Sequence, residues 1–134
     1  MGLEPDTLTF DCADPVRVAT FWAAALGYVL EDHPEPNEAF IADPTGRTRG
    51  MYFQAVPEPK TVKNRVHLDV RPTGTMAAEV ERLLGLGATE RGFIEIPASA
   101  VDGQATFWTV MRDIEGNEFC VLRGPGDGWT RETA

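Results

Sequence analysis

Apolar Leu8, Phe10 and Cys12 alternate with polar Thr7, Thr9 and Asp11, the period-2 pattern of a strand with one buried face. The pattern changes at Asp14-Pro15, a helix cap followed by a first-turn proline. From there Val18, Phe21, Trp22, Ala25 and Leu26 recur at helical spacing until Gly27, so a helix is predicted to end at that glycine. Beyond it lie the strand-like run YVLEDH (28–33), a proline-rich loop through HPEPN, a second run EAFIAD (38–43), a turn at Asp43-Pro44-Thr45-Gly46, and GMYFQAV (50–56). The predicted unit is β-α-β-β-β.

The same order returns further along. RVHLDVR (65–71) places Val66, Leu68 and Val70 on one face and Arg65, His67, Asp69 and Arg71 on the other, and Met76, Val80, Leu83 and Leu84 mark a helix that stops near Gly85 and Gly87. TERGFIEI (89–96), a longer loop through PASAVDGQ, ATFWTVM (105–111), the turn Asp113-Ile114-Glu115-Gly116 and NEFCVL (117–122) complete the copy. The helix-ending Gly27 and Gly87 are offset by 60 residues, and the turn residues Asp43 and Asp113 by 70; the longer loop of the second copy accounts for the difference. The predicted architecture is a single α+β domain over 1–134, made of two tandem units whose mixed sheets surround a cleft. Unit one covers about 5–56, a linker about 57–64 and unit two about 65–123, with a loosely held tail at 124–134. In such a unit the helix covers one sheet face and leaves the other bare, so the polar faces are expected to line the cleft.

Composition narrows the partners. With 21 acidic against 12 basic residues, the net charge of -9 repels phosphate backbones and argues against nucleic acid. No run approaches membrane-spanning length, and MGLEPDTLTF lacks the basic start and apolar core of a secretion signal, which leads to the expectation of a cytoplasmic protein without membrane attachment. Cys12 and Cys120 have no CxxC spacing, and alternation places Cys12 with Leu8 and Phe10 while Cys120 lies opposite Phe119 and Val121. Two free thiols are expected.

DPVRVATFWAAALGY, NRVHLDV and DIEGNEFCVL, in this order and spanning nearly the whole chain, resemble the vicinal oxygen chelate superfamily, and within it the glyoxalase-like and bleomycin-resistance-like proteins. The resemblance implies a homodimer and a site with up to four metal-facing positions, one on the first and one on the last strand of each unit. Carried onto this sequence, these are Thr7, His67, Cys120 and either Tyr52 or Gln54. In metal-dependent members such positions hold His, Glu or Gln around a divalent ion such as Zn, Ni, Mn or Fe; here Thr7 and Cys120 depart from that pattern. No last-strand carboxylate is found where a glyoxalase-type proton transfer needs one, and the two-His, one-carboxylate iron triad is missing.

The resemblance therefore leads first to a protein that binds a small organic ligand without the standard metal tetrad. The alternatives are a divalent-metal-dependent lyase or isomerase with His67 as the candidate catalytic residue, and a drug-sequestering or vestigial dimer module. The expected ligand-binding residues are Thr9, Tyr52, Gln54, Arg65, His67, Asp69, Trp108 and Cys120. Each also has a plain reading: His67 as a hydrogen-bonded strand residue, Cys120 as a small buried hydrophobe, and Asp69 with Arg65 as an ion pair on the wall. Trp108 faces either cleft or helix, and serves as a stacking surface only in the first case.

Overall fold

Alternation along the chain becomes register between strands in the computed structural model, which describes residues 2–32, 35–97 and 106–131. Two compact units divide between Thr61 and Val62. Unit one contains β1 (Leu8–Cys12), α1 (Pro15–Leu26), β2 (Val29–Leu30), β3 (Glu38–Ala42) and β4 (Gly50–Ala55). Unit two contains β5 (Asp69–Val70), α2 (Met76–Gly85), β6 (Thr89–Ile96), β7 (Thr106–Arg112), β8 (Glu118–Leu122) and a short 3-10 helix at Pro125–Asp127. The two sheets have the same plan, β1-β4-β3-β2 and β5-β8-β7-β6. In each, the first strand pairs parallel with the last and the other neighbours are antiparallel. Parallel partners require a long crossover, which the helix and the two middle strands provide. Both units are thus the predicted β-α-β-β-β.

The Asp14 side chain accepts from the Arg17 N–H (3.3 Å), Pro15 opens α1, and Gly27 closes it at φ 71°, as the sequence pattern predicts. The helix buries Val18, Phe21 and Trp22 against the face of the sheet that pairs Leu8 with Met51 and Phe10 with Phe53. Trp22 meets Phe10 and Phe21 edge-on at centroid distances of 5.6 and 5.3 Å. Truncating so buried an aromatic costs about 3–5 kcal/mol. In unit two, Thr75 caps α2 by accepting from the Ala78 N–H (3.2 Å), and Met76 and Leu83 are buried. Leu84, expected in that core, is 38% exposed, one step round the helix from the covered stripe.

The duplicated turns act as expected. Asp43 accepts from the backbone N–H groups of Thr45 (2.8 Å) and Thr48 (3.1 Å) and from both threonine hydroxyls. Asp113 likewise accepts from the N–H groups of Glu115 and Asn117 and from the Asn117 amide. Gly46 and Gly116 take φ 74° and 88°, the left-handed region in which a side chain is disfavoured.

Three expectations are corrected. β5 is only Asp69–Val70, not 65–71, because the Asn64 N–H bonds the Glu118 side chain (2.9 Å) rather than a neighbouring strand. Val66 is accordingly 78% exposed instead of packed with Leu68 and Val70. β2 shrinks to Val29–Leu30, since this edge strand has only β3 to pair with. The tail is not loose through residue 129. Asp127 accepts from the N–H groups of Met76 (2.7 Å) and Gly124 (2.9 Å), supplying a negative charge at the start of α2. Arg71 lies 3.8 Å over the Trp129 ring. A Cβ on Gly124 would stand 2.2 Å from the Gly74 carbonyl oxygen, which shows how closely the tail approaches. The expected HPEPN and PASAVDGQ loops lie in part outside the described residues, at 33–34 and 98–104.

Two outcomes follow from these contacts. The hydrogen bonds from Thr45 hold the Asp43 carboxyl at about 2, below its ordinary 3.8, with Thr48 contributing and burial opposing. A lowered folded-state value gives stability that is present above 3.8 and lost as pH falls towards 2. Asp43→Ala should therefore melt below wild type at neutral pH, with the gap narrowing across that acid window in thermal scans. Gly50 has φ 140°, and a Cβ there would sit 2.0 Å from the Ile41 carbonyl oxygen. Gly50→Ala should cost about 3 kcal/mol, the upper end of the usual single-substitution range, and an unchanged urea midpoint would contradict this close approach.

Candidate functional site

Strand register decides which side chains share the helix-free face of the second sheet. Asp69 stands opposite Cys120, Cys120 opposite Val110, Leu122 opposite Trp108, and Glu118 opposite Arg112. Paired residues project to the same side. Thr109, on the other side, touches the Met76 sulfur of α2 at 3.4 Å. Trp108 therefore belongs to the helix-free face with Cys120, while Phe119 and Val121 are buried on the helix side. Cys12 shares the helix side of the first sheet with Leu8 and Phe10, and both cysteines are free and buried. These sides agree with the alternation.

His67 lies two residues before Asp69, outside the ladder, and its Nδ1 is 3.5 Å from the Asp69 Oδ1. One donor atom from each of His67, Asp69 and Cys120 lies within 4.8 Å of the other two. Among the described residues this is the group of three such side chains close enough to hold a metal ion. Cys120 is buried, whereas the His67 and Asp69 side chains are 38% and 54% exposed. Burial pushes the Cys120 thiol above its ordinary value, and the charge and hydrogen bonding of Asp69 push it further, with Lys63 opposing. The thiol therefore keeps its proton at neutral pH, which disfavours a nucleophilic role. Arg65 is exposed beside this group in sequence.

Unit one arranges its polar face differently. Thr9 stands opposite Tyr52 and Asp11 opposite Gln54. The Tyr52 hydroxyl donates to Glu38, and this hydrogen bond, with burial and the Glu38 charge, raises its pKa. The Gln54 amide donates to Asp11 at 2.8 Å. Thr7 is half-buried just before β1. The helix offset of 60 makes Thr9 the counterpart of Asp69, so Tyr52, opposite Thr9, is the counterpart of Cys120. Tyr52 follows Asp43 by nine residues and Cys120 follows Asp113 by seven, so the RTRG segment adds two residues to the first turn.

Glu118 escaped the sequence reading. Its side chain is buried, accepts from the Asn64 N–H (2.9 Å), and meets the Arg112 Nε at 3.4 Å. The alternation that set Cys120 on the helix-free face already put Glu118 there, two residues earlier; its burial and partners had no local signal. Asp69, expected among the ligand-binding residues with a wall-fixing pair to Arg65 as its plain reading, lies close to His67 and Cys120. The partners Glu38 and Asp11 emerge only from the register that sets both opposite Gln54, with Glu38 also within reach of the Tyr52 hydroxyl.

Among the described residues no helix is long and apolar enough to cross a membrane. Comparison with curated proteins finds no match. Solved structures similar to this chain include the fosfomycin resistance protein FosX from Listeria monocytogenes, with 13% identity over 99% of this chain and 98% of that one and a TM-score of 0.68. A hypothetical protein from S. aureus has 15% identity over 92% and 95% of the two chains, with a TM-score of 0.64. A glyoxalase/bleomycin resistance/dioxygenase family enzyme from Burkholderia phytofirmans has 18% identity over 88% and 98%, with a TM-score of 0.61. At these identities the likeness is one of fold. The family model described as a glyoxalase-like domain matches residues 7–122, which covers both units from the start of β1 to the end of β8, and the chain belongs to this glyoxalase-like, vicinal oxygen chelate family.

Proposed function

We propose that this chain binds a small organic ligand over the helix-free face of its second sheet, and that His67, Asp69 and Cys120 there hold a thiophilic divalent cation, zinc foremost. The observation that carries the reading is the mutual approach of the three donor atoms within 4.8 Å. Two good ligands rarely hold zinc, and Asp69 provides the third beside imidazole and thiol. The donor chemistry fits: a positive ion reverses the field of burial and Asp69 that keeps the thiol protonated, and a thiolate selects zinc or cobalt over manganese. When bound, such an ion acts as a Lewis acid on a ligand oxygen.

The chain's own residues do the rest. Half-exposed His67 and Asp69 meet the solvent side, where a ligand arrives, and Trp108 and Leu122 offer apolar surface one row along the same face. That a FosX structure was obtained complexed with Mn(II) supports metal binding as a capacity of this fold. Lyase or isomerase chemistry depends on the same site, with His67 as the candidate catalytic group. A second reading, ligand sequestration without metal, is favoured by the burial of the Cys120 thiol and by the neighbouring Asp69, which hold it in its neutral form. A cytoplasmic homodimer is part of the proposal, the former in keeping with two unlinked cysteines, the latter checked by light scattering.

Calorimetric titration of wild type with Zn²⁺ should give one site per chain, weakened more than about 100-fold in Cys120→Ser, since changes behind a ligand already cost 10–100-fold. Because the thiol must release one proton, affinity should rise about tenfold per pH unit below the thiol's pKa. Equal binding by the two proteins would remove Cys120 from the site. No binding by either would leave the metal-free reading, to be tested by ligand-induced rises in melting temperature.

A further inference from the structure

We infer that Glu118 is a positioning residue that sets His67 in place for the donor group. The inference rests on the reading that His67, Asp69 and Cys120 hold a cation. Asp69 and Cys120 are placed directly by the β5–β8 ladder. His67 is not, because β5 begins only at Asp69. The segment carrying it is held at two points: downstream, the Cys120 N–H donates to the Leu68 carbonyl (2.8 Å), and upstream, the Asn64 N–H donates to the Glu118 carboxylate (2.9 Å). His67 lies between these anchors, and both lead to β8, the strand that carries Cys120.

The environment of Glu118 points the same way. Its side chain is 3% exposed, while that of Arg112, which faces its second oxygen, is 41% exposed. A buried carboxylate compensated in this manner is a poor source of stability compared with an apolar side chain. What it adds is a directed bond to a backbone N–H that no strand satisfies. The corresponding place in unit one, two residues before Tyr52, is Gly50. There Gly50 stands opposite Ala42 where Glu118 stands opposite Arg112. The unit with the donor group therefore carries the tether, and the unit that lacks the group does not.

The test compares wild type, Glu118→Gln, Glu118→Leu and Asn64→Pro, using Co²⁺ as the probe. Glutamine keeps an oxygen acceptor, so Glu118→Gln should bind within about threefold of wild type. Glu118→Leu should lose about 10–100-fold, keeping the thiolate-to-cobalt absorption while the visible ligand-field bands change as the imidazole departs. Asn64→Pro removes the donor, while also fixing φ at 64 and restricting Lys63, and should repeat this result if Glu118→Leu does not fold. Unchanged affinity and spectrum in Glu118→Leu would overturn the inference, as would loss of the thiolate band together with the others, which marks general collapse. A metal-independent arm separates this inference from the cation reading: the Asn64 amide should exchange with solvent slowly in wild type and rapidly in Glu118→Leu. Fast exchange in wild type would refute the tether, whereas slow exchange without Co²⁺ binding would refute the cation site alone.

Discussion

The parallel pairing of β5 with β8 is the contact on which the candidate site depends. It is two residue pairs long, Asp69 with Cys120 and Val70 with Val121, and it joins positions about fifty apart in sequence. One pair puts a carboxylate beside a thiol on the bare face; the other puts two valines on the helix side of the sheet. A ladder this short is weak alone, and side chains secure it at both ends. Upstream, Glu118 takes the Asn64 N–H. Downstream, Arg71 donates to the Arg123 carbonyl (2.6 Å) and stacks on Trp129. The docked tail thus belongs to the same device as the site.

The two units show how one architecture supports different chemistry. Each closes its parallel pair over a helix-covered apolar layer, and each builds its second turn on an aspartate and a left-handed glycine. On the bare faces they part. Unit one ties its polar groups to one another, Tyr52 to Glu38 and Gln54 to Asp11. Unit two groups imidazole, carboxylate and thiol and binds its extra carboxylate, Glu118, to the backbone. In unit one each carboxylate takes a phenol or amide donor, whereas in unit two imidazole, carboxylate and thiol bring donor atoms within 4.8 Å of one another.

Much of the fold was legible because its signals are local. Asp14-Pro15 and Gly27 bound α1 at the residues where the structure bounds it, TERGFIEI is β6 in full, and alternation assigned the sides of Cys12, Cys120, Phe119 and Val121. Such features depend on neighbours within a turn of helix or along a single strand. The extents of β2 and β5 were not legible, since they depend on whether a distant partner supplies hydrogen bonds. Val66 and Leu84 show the result: apolar residues in the right period, left exposed where the packing partner ends.

By itself the sequence determined the repeated β-α-β-β-β order and the turn aspartates and glycines, which periodicity and spacing encode, and it placed His67 and Cys120 among candidates for chemistry through its resemblance to the vicinal oxygen chelate superfamily. Tertiary structure alone decided that Trp108 faces away from the helix, that Tyr52 rather than Gln54 corresponds to Cys120, that Asp69 joins His67 and Cys120, and that Glu118 is buried against Asn64. The physical reason is range. A side chain's face is written in its own strand, but its neighbours on that face come from strands dozens of residues away, and a two-residue shift in one turn, such as that between Asp43 and Tyr52, changes which of them meet.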